Sequence, residues 1–174
     1  MRVMFLSPSN RLLGARKSLI DVVRHLPAGV EPLVVCPGEG DLARMLHDEG
    51  IAVERVRHHP WRKFIGHLQA RLFQLPALRR VARRFDPAVV HANEYHIVPQ
   101  ARRAAFACGA ATVVHLRSGF PPRHVDLYEI AQCDRVVCVS RALVDMMRDG
   151  DGDGALDELC RVVPNGIDVA AFPP

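Results

Sequence analysis

Short apolar segments alternate with helical patterns along the whole 174-residue chain, and few folds are compatible with that order. The first clear repeat spans residues 33–56, where an apolar segment, a Pro-Gly turn, an amphipathic segment, a glycine and a second apolar segment follow one another. Such a βαβ unit joins two parallel strands through a crossover helix. The repeated alternation predicts one Rossmann-like α/β domain, with a parallel sheet of about seven strands and helices on both faces.

The period of the apolar residues predicts where each element lies. Runs of apolar residues predict strands, and apolar residues three or four positions apart predict helices. We expect strands at residues 2–6, 33–36, 51–56, 88–91, 112–116, 135–139 and 162–163. We expect helices at residues 15–26, 41–49, 61–85, 101–108, 126–132 and 141–147. Asp41 and Ser140 are the expected N-caps of the second and sixth helices, and Pro76 should interrupt the third.

The composition is that of a folded, soluble protein rather than a disordered or membrane-spanning one. Hydrophobic residues make up 49% of the chain and charged residues 24%. No apolar run approaches the roughly 18 residues of a membrane-spanning helix. Five scattered cysteines without a CxxC pair favour reduced, mostly buried thiols. We therefore expect a cytoplasmic protein, with peripheral attachment to a membrane as an open alternative.

The net charge of +4 conceals a strongly basic segment at residues 57–85. This segment has eight Lys or Arg residues and no Asp or Glu, so it carries +8 and the rest of the chain carries −4. Its cationic residues are Arg57, Arg62, Lys63, Arg71, Arg79, Arg80, Arg83 and Arg84. Such a local excess of positive charge predicts an anionic partner.

Two interpretations of this basic helix remain open. In the first, apolar residues that include Phe64, Ile65, Leu68 and Leu72 pack into the core, and the arginines form a solvated face. In the second, Trp61 and neighbouring aromatic and basic residues bind anionic lipid headgroups at a membrane surface. Nucleic acid is disfavoured, because the aromatic residues do not alternate with the charges as stacking platforms and no binding motif is present.

Polar residues follow the fourth predicted strand, at His91, Asn93, Glu94 and His96. In doubly wound sheets, ligands bind beyond the carboxyl ends of the strands, where the strand order reverses. We therefore expect these side chains to line a cleft. His91 and His96 are five residues apart, which does not match the i,i+4 spacing of helical zinc ligands. We expect no metal site here.

The fifth predicted strand ends in His115-Leu116-Arg117. Because successive strand residues point to opposite faces, His115 and Arg117 can face the same site. The Arg117 guanidinium could bind a phosphate or a carboxylate through two parallel hydrogen bonds. A strand-end arginine that meets only solvent is the alternative.

The loop between the first strand and the first helix, RLLGARKS, carries two further candidates, Gly14 and Arg16. Backbone N–H groups at the start of a helix suit an anionic group. The single glycine excludes the GxGxxG dinucleotide motif, and the glycine spacing excludes a P-loop despite Lys17 and Ser18. A simple packing turn is the alternative.

An acidic segment at residues 149–160, DGDGDGALDELC, matches the first part of a calcium-binding EF-hand loop. The position that requires a bidentate glutamate holds Cys160 instead. We interpret this segment as an acidic linker rather than a calcium site.

Residues 161–168, RVVPNGID, predict a last strand followed by a sharp turn. Pro164 cannot donate to a sheet ladder, and Asn165-Gly166 tolerates positive φ. Together with residues 37–56, 89–95, 112–118 and 133–147, this motif resembles the N-terminal domain of family 4 glycosyltransferases of the GT-B fold. In that family, such a strand and turn lead into a second domain.

The resemblance implies a domain organisation and a reaction. Residues 1–160 would form the acceptor-side domain, and residues 161–174 would contain the last strand and the start of an interdomain linker. The C-terminal donor domain would be absent from this chain. The whole enzyme would transfer a sugar from a nucleotide-sugar donor to a glycan or lipid-linked acceptor, with retention of configuration, without a further cofactor and without an essential metal.

The resemblance also assigns roles to residues. His115 and Arg117 would be catalytic, and a larger set would bind substrate: Gly14, Arg16, His91, Asn93, Glu94, Ser140 and Asn165. Leu13 stands where the family often has a second glycine. The family's basic pair and E-x7-E element, which hold the donor, are not found, so this chain alone should be inactive. A non-catalytic module that binds a glycan, lipid or protein, or half of another GT-B-like enzyme such as a nucleotide-sugar epimerase, are the alternatives.

Overall fold

A computed structural model describes residues 1–61, 64–148 and 155–166 of the chain. Its strands are β1 Arg2–Leu6, β2 Glu31–Cys36, β3 Ala52–Arg55, β4 Val89–Ala92, β5 Ala111–Leu116, β6 Arg135–Cys138 and β7 Cys160–Val162. They form one sheet in the order β3-β2-β1-β4-β5-β6-β7, and all six pairings are parallel. The predicted seven-stranded parallel sheet is confirmed.

The helices connect successive strands, as the alternation predicts. They are α1 Gly14–Arg24, α2 Asp41–Asp48, α3 Phe64–Gln69, α4 Leu75–Phe85, α5 Val98–Phe106, α6 His124–Leu127, α7 Arg141–Arg148 and α8 Ala155–Leu159. A π-helical segment, Ala70–Gln74, joins α3 to α4, and short 3-10 turns lie at Tyr95–Ile97 and Ile130–Gln132. Among the described residues, every helix is too short or too polar to span a bilayer.

Two hydrophobic cores lie on the two faces of the sheet, because successive strand residues point to opposite sides. Met4 and Leu6 belong to the larger core, which includes residues of α4 and α5. Val3 and Phe5 belong to the smaller one, which includes residues of α1 and α2. The five cysteines, all within the described ranges, form no disulfide.

The basic helix buries a different face from the one expected. Ile65, Leu68 and Leu72 are 69%, 49% and 58% exposed, so the prediction that they pack into the core is wrong. Ala70 and Gln74 are buried instead.

The reason for this reversal is the backbone of the loop before the helix. The Gln74 side-chain oxygen accepts the His59 N–H at 3.0 Å. A Cβ on Gly66 would lie 2.2 Å from the carbonyl oxygen of Pro60. The inward face of the helix therefore consists of small residues and one polar residue, which fit against a backbone that needs hydrogen bonds.

The expected interruption at Pro76 is present as the π-helical segment before it. Pro76 lies in the first turn of α4, and the Leu75 N–H bonds to the carbonyl of Ala70, five residues back. The expected cap of α2 is wrong by one residue, since Gly40 is the N-cap and Asp41 is the first helical residue. A Cβ on Gly40 would lie 2.6 Å from Cβ of Asn10, so a larger residue does not fit there.

Candidate functional site

The candidate site lies beyond the carboxyl ends of β4 and β5, next to the N-terminal half of α1. The sheet order places β1 beside β4, and the two chain directions diverge there, which is where doubly wound sheets bind ligands. Ser18 comes from α1, Asn93 follows β4, Arg117 follows β5 and Asn165 follows β7. Four separate parts of the sequence therefore meet at one edge of the sheet.

Arg117 is the centre of this cluster. One of its terminal nitrogens, Nη1, donates to Ser18 Oγ and, at 2.8 Å, to Asn165 Oδ1. The other, Nη2, lies 3.2 Å from Asn93 Oδ1 and 2.9 Å from His115 Nδ1. The prediction that His115 and Arg117 face the same site is consistent with this contact.

Arg117 carries a positive charge that the described chain does not neutralise. No carboxylate within the described ranges forms an ion pair with it, and its buried Nε has no hydrogen-bond acceptor there. Burial lowers the pKa of Arg117 to about 10, which leaves the side chain charged at neutral pH. A buried cation surrounded by neutral groups favours an anionic ligand.

His115 is neutral in this environment. Burial, and secondly the charge of Arg117, lowers the pKa of His115 to about 4. Because Nδ1 accepts from Arg117, the proton is on Nε2, which is buried without an acceptor in the described chain. The imidazole can therefore donate a hydrogen bond to a ligand hydroxyl or carbonyl oxygen.

His91 lies behind His115, with the ring centres 5.8 Å apart. Its other ring contact is with Phe5, at 5.0 Å. Burial, followed by the effects of His115 and Arg117, lowers the pKa of His91 to about 3. His91 is thus a neutral packing partner of His115, one shell away from the guanidinium of Arg117.

Arg16 and Glu94 bind each other. Arg16 Nη1 forms an ion pair with Glu94 Oε1, and Arg16 Nε donates to the Arg11 carbonyl at 3.0 Å. The other Glu94 oxygen lies 3.3 Å from His96 Nε2. This pair joins α1 to the loop after β4, so its charges neutralise each other and hold the cleft wall in place.

A cavity of about 420 Å³ opens beside His115. It is lined by Ser18, Asp21, Val22, His25, Leu26, His115, Val163, Pro164, Asn165 and Gly166. The α1 residues in this lining escaped the sequence analysis, although their spacing of three and four places them on one helix face. That spacing, read from Ser18 onward, was the available signal.

The remaining predicted residues lie apart from Arg117. Gly14 is the exposed first residue of α1, and no heavy atom would lie within 4 Å of an added Cβ. Ser140 precedes α7, and its carbonyl accepts the Leu143 N–H at 3.3 Å. The basic residues Arg57, Arg79, Arg80, Arg83 and Arg84 are exposed and lie outside this cluster, while Arg62 and Lys63 fall outside the described residues.

Metal binding gains no candidate from the described ranges, where no group of three or more His, Cys, Asp or Glu side chains could hold an ion. The EF-hand-like motif lies largely at residues 149–154, outside the described residues.

Three solved structures share this fold. HepE of Anabaena, solved with UDP and glucose, matches with a TM-score of 0.78 and 22% identity over 99% of this chain and 46% of its own. A glycosyltransferase of Rickettsia africae matches with a TM-score of 0.76 and 15% identity, over 98% of this chain and 44% of its own. The lipopolysaccharide galactosyltransferase WaaB gives a TM-score of 0.68 and 15% identity, over 97% and 47%. The chain thus spans less than half the length of each.

Sequence comparison assigns the family. No curated protein matches the chain. The family model of Glycosyltransferase Family 4, however, matches residues 14–171, which is most of its length. The parallel sheet, the GT-B relatives and this match agree with one another. The chain belongs to glycosyltransferase family 4.

Proposed function

We propose that this chain is the acceptor-side half of a retaining glycosyltransferase that transfers a sugar from a nucleotide-sugar donor to a glycan or lipid-linked acceptor. The observation that carries the proposal is Arg117, a buried cation without an acidic partner in the described chain, held beside a neutral His115 at the carboxyl edge of the sheet. Charge of this kind, fixed before the reaction, stabilises negative charge that develops as a leaving group departs.

Each residue of the site has a role in this proposal. Arg117 binds the phosphate that leaves with the transferred sugar, and Ser18, Asn93 and Asn165 hold its guanidinium in place. His115 donates its Nε2–H to a hydroxyl of the transferred sugar. Arg16 and Glu94 are positioning residues, since each satisfies the charge of the other.

The donor nucleotide is bound mainly outside this chain. HepE, the relative solved with UDP-glucose, has about twice the length of this chain, which covers 46% of it. The described cleft offers one cationic group, Arg117, to a donor that carries two phosphates. The donor's nucleoside and the rest of its charge are therefore held by a second domain, in the same or another chain.

Nuclear magnetic resonance of the isotopically labelled chain tests this assignment. We expect glucose 1-phosphate and UDP-glucose to shift the resonances of Ser18, Asn93 and the Arg117 side chain, and uridine to leave them unchanged. Arg117→Gln should abolish the shifts, because the amide keeps hydrogen bonds but loses the charge. Arg123→Gln, which alters an exposed arginine six residues further on, should retain them.

The opposite pattern would reject the proposal. If uridine shifted the Ser18 and Arg117 resonances, or if UDP bound the chain as tightly as an enzyme binds its donor, this half would hold the nucleoside. Shifts that persist in Arg117→Gln would remove Arg117 from the site.

A further inference from the structure

An apolar ridge lies on the solvent-facing side of residues 65–73. Its members are Ile65, Leu68, Leu72 and Phe73, with exposed fractions of 69%, 49%, 58% and 66%. The spacing of the first three residues places them on one face of the helix. Single exposed apolar residues are ordinary, but a contiguous row of large ones marks an interaction surface.

Arginines border this ridge on more than one side. Phe73 lines a groove together with Arg55 and Arg57. A second groove contains Arg71 and Arg79 beside Trp61. Further along the helix, a third groove is formed by Pro76 and four arginines, the basic cluster: Arg79, Arg80, Arg83 and Arg84.

The charges of the basic cluster are largely unneutralised. Arg84 pairs with Glu54, whereas Arg79, Arg80 and Arg83 have no ion-pair partner within the described ranges. Residues 57–85 contain no Asp or Glu that could supply one from the helix itself. The surface therefore combines an apolar row with an uncompensated positive field, which attracts anions from solution.

We propose that the apolar ridge and the basic cluster form a membrane-docking surface, which lays the helical segment 64–85 along an anionic lipid bilayer. The ridge enters the boundary between headgroups and acyl chains, and the arginines bind lipid phosphates. An amphipathic helix with these two parts binds in the interface plane through buried apolar area and attraction to anionic lipid.

Other occupants fit the surface less well. Nucleic acid would satisfy the arginines but leave Ile65, Leu68 and Leu72 in water, since aliphatic side chains do not stack on bases. A second copy of the chain, docked symmetrically through the ridge, would bring two basic clusters together, and like charges in close contact repel. An anionic bilayer satisfies both features at once.

The topology gives this surface a functional direction, which rests on the proposed function. The helical segment begins after β3 and ends before β4, and both strands run in the same direction. The ridge therefore lies nearer the carboxyl edge that carries Arg117 than the basic cluster does. An acceptor anchored in the same bilayer would reach the site from this side, which favours a lipid-linked acceptor.

Sedimentation of the purified chain with lipid vesicles tests the docking proposal without any measurement of activity. We expect binding to vesicles of phosphatidylcholine with phosphatidylglycerol, weak binding to phosphatidylcholine alone, and a marked decrease at high salt. Arg79→Glu with Arg80→Glu and Arg83→Glu should lower binding by about 100-fold or more. The control triple Arg44→Glu, Arg123→Glu and Arg141→Glu makes the same change in net charge at exposed positions elsewhere, and should retain binding.

The ridge is tested separately by Leu68→Ser with Leu72→Ser. We expect this pair to lower vesicle binding by about 10-fold while leaving thermal unfolding unchanged, because both side chains are already exposed. The control pair Leu13→Ser and Leu127→Ser removes leucines that are 59% and 41% exposed and should retain binding.

Three results would overturn the proposal. The first is equal binding, or none, to the two vesicle types at low salt. The second is an equal loss in the variants and their controls. The third is a different occupant: salt-sensitive binding of RNA that does not depend on Leu68 and Leu72, or a dimer that only the ridge pair dissociates while vesicle binding is unaffected.

Discussion

At the scale of single residues, the site depends on protonation states that burial fixes. Arg117 stays charged and His115 stays neutral, although their side chains are only 2.9 Å apart. The two states support each other, because the cation disfavours a second positive charge on the imidazole. The result is a charged group for a phosphate next to a neutral N–H donor for a sugar hydroxyl.

Buried neutral histidines should make the fold sensitive to acid. The pKa of His91 is about 3 in the folded protein, below the ordinary value of about 6.5 that applies after unfolding. As the pH falls from 6.5 toward 3, the unfolded state takes up the proton first, so stability is lost in that window and is fully present above it. We expect the chain to lose on the order of 1–2 kcal/mol through this histidine between pH 7 and pH 5.

The variant His91→Leu should reduce this dependence in chemical denaturation followed at several pH values. His47→Leu, which removes an exposed histidine of α2, is the control and should keep the slope of the parent chain. A stability difference between the parent and His91→Leu that stays constant from pH 7 to pH 5 would contradict the argument.

At the scale of elements, the segment that runs from α3 through the π-helical turn to α4 shows how a loop can select a helix face. The backbone of residues 58–60 needs hydrogen-bond partners, which Gln74 and Gln100 supply at 3.0 Å and 3.2 Å. The helix therefore turns small and polar residues inward and leaves the apolar ridge in solvent. Its close approach to the loop is possible because position 66 has no side chain.

Gly66→Ala tests that close packing. The new Cβ would lie 2.2 Å from the Pro60 carbonyl oxygen, so the helix or the loop must move, at a cost of roughly 1–3 kcal/mol. Gly14→Ala is the matched control within a helix, because nothing lies within 4 Å of its Cβ, and it should leave the stability unchanged or raise it by up to about 1 kcal/mol. Thermal melts of both variants measure the difference. Equal melting temperatures would show that the loop yields without cost.

At the scale of the whole molecule, one sheet gathers residues from both ends of the chain into one site. Ser18 and Asn165, which are 147 positions apart, lie within hydrogen-bond distance at 3.0 Å, and both contact Arg117. The turn after β7 is thereby fixed to the site. In the proposed enzyme, this turn leads toward the donor domain, so binding at Arg117 and the direction of the exit turn are linked.

We expect the purified chain to show no turnover of nucleotide sugars. Catalysis requires preorganised charge around the leaving diphosphate, and the proposed function locates most of that charge outside this chain. Release of nucleoside diphosphate from a panel of sugar nucleotides is the measurement, with Arg117→Gln as the control for contaminating enzymes. Turnover that disappears in Arg117→Gln would show that this chain holds a complete site.

The sequence by itself determined the sheet, its parallel strands and the shared face of His115 and Arg117. These features follow from local periods, since a strand alternates every second residue wherever it lies. The position of the site beyond the carboxyl ends of the strands is likewise a property of the strand-helix alternation.

Only the tertiary structure decided which side chains meet. Arg16 and Glu94 are predicted as separate ligands, yet they form an ion pair because α1 crosses the end of β4. Ser18 and Asn165 join the site through packing between distant segments. The helix at residues 64–85 has apolar residues on more than one side, so its pattern alone leaves the buried face open. The backbone of the loop at residues 58–60 selected that face, because a buried hydrogen bond left unmade costs more than an exposed leucine.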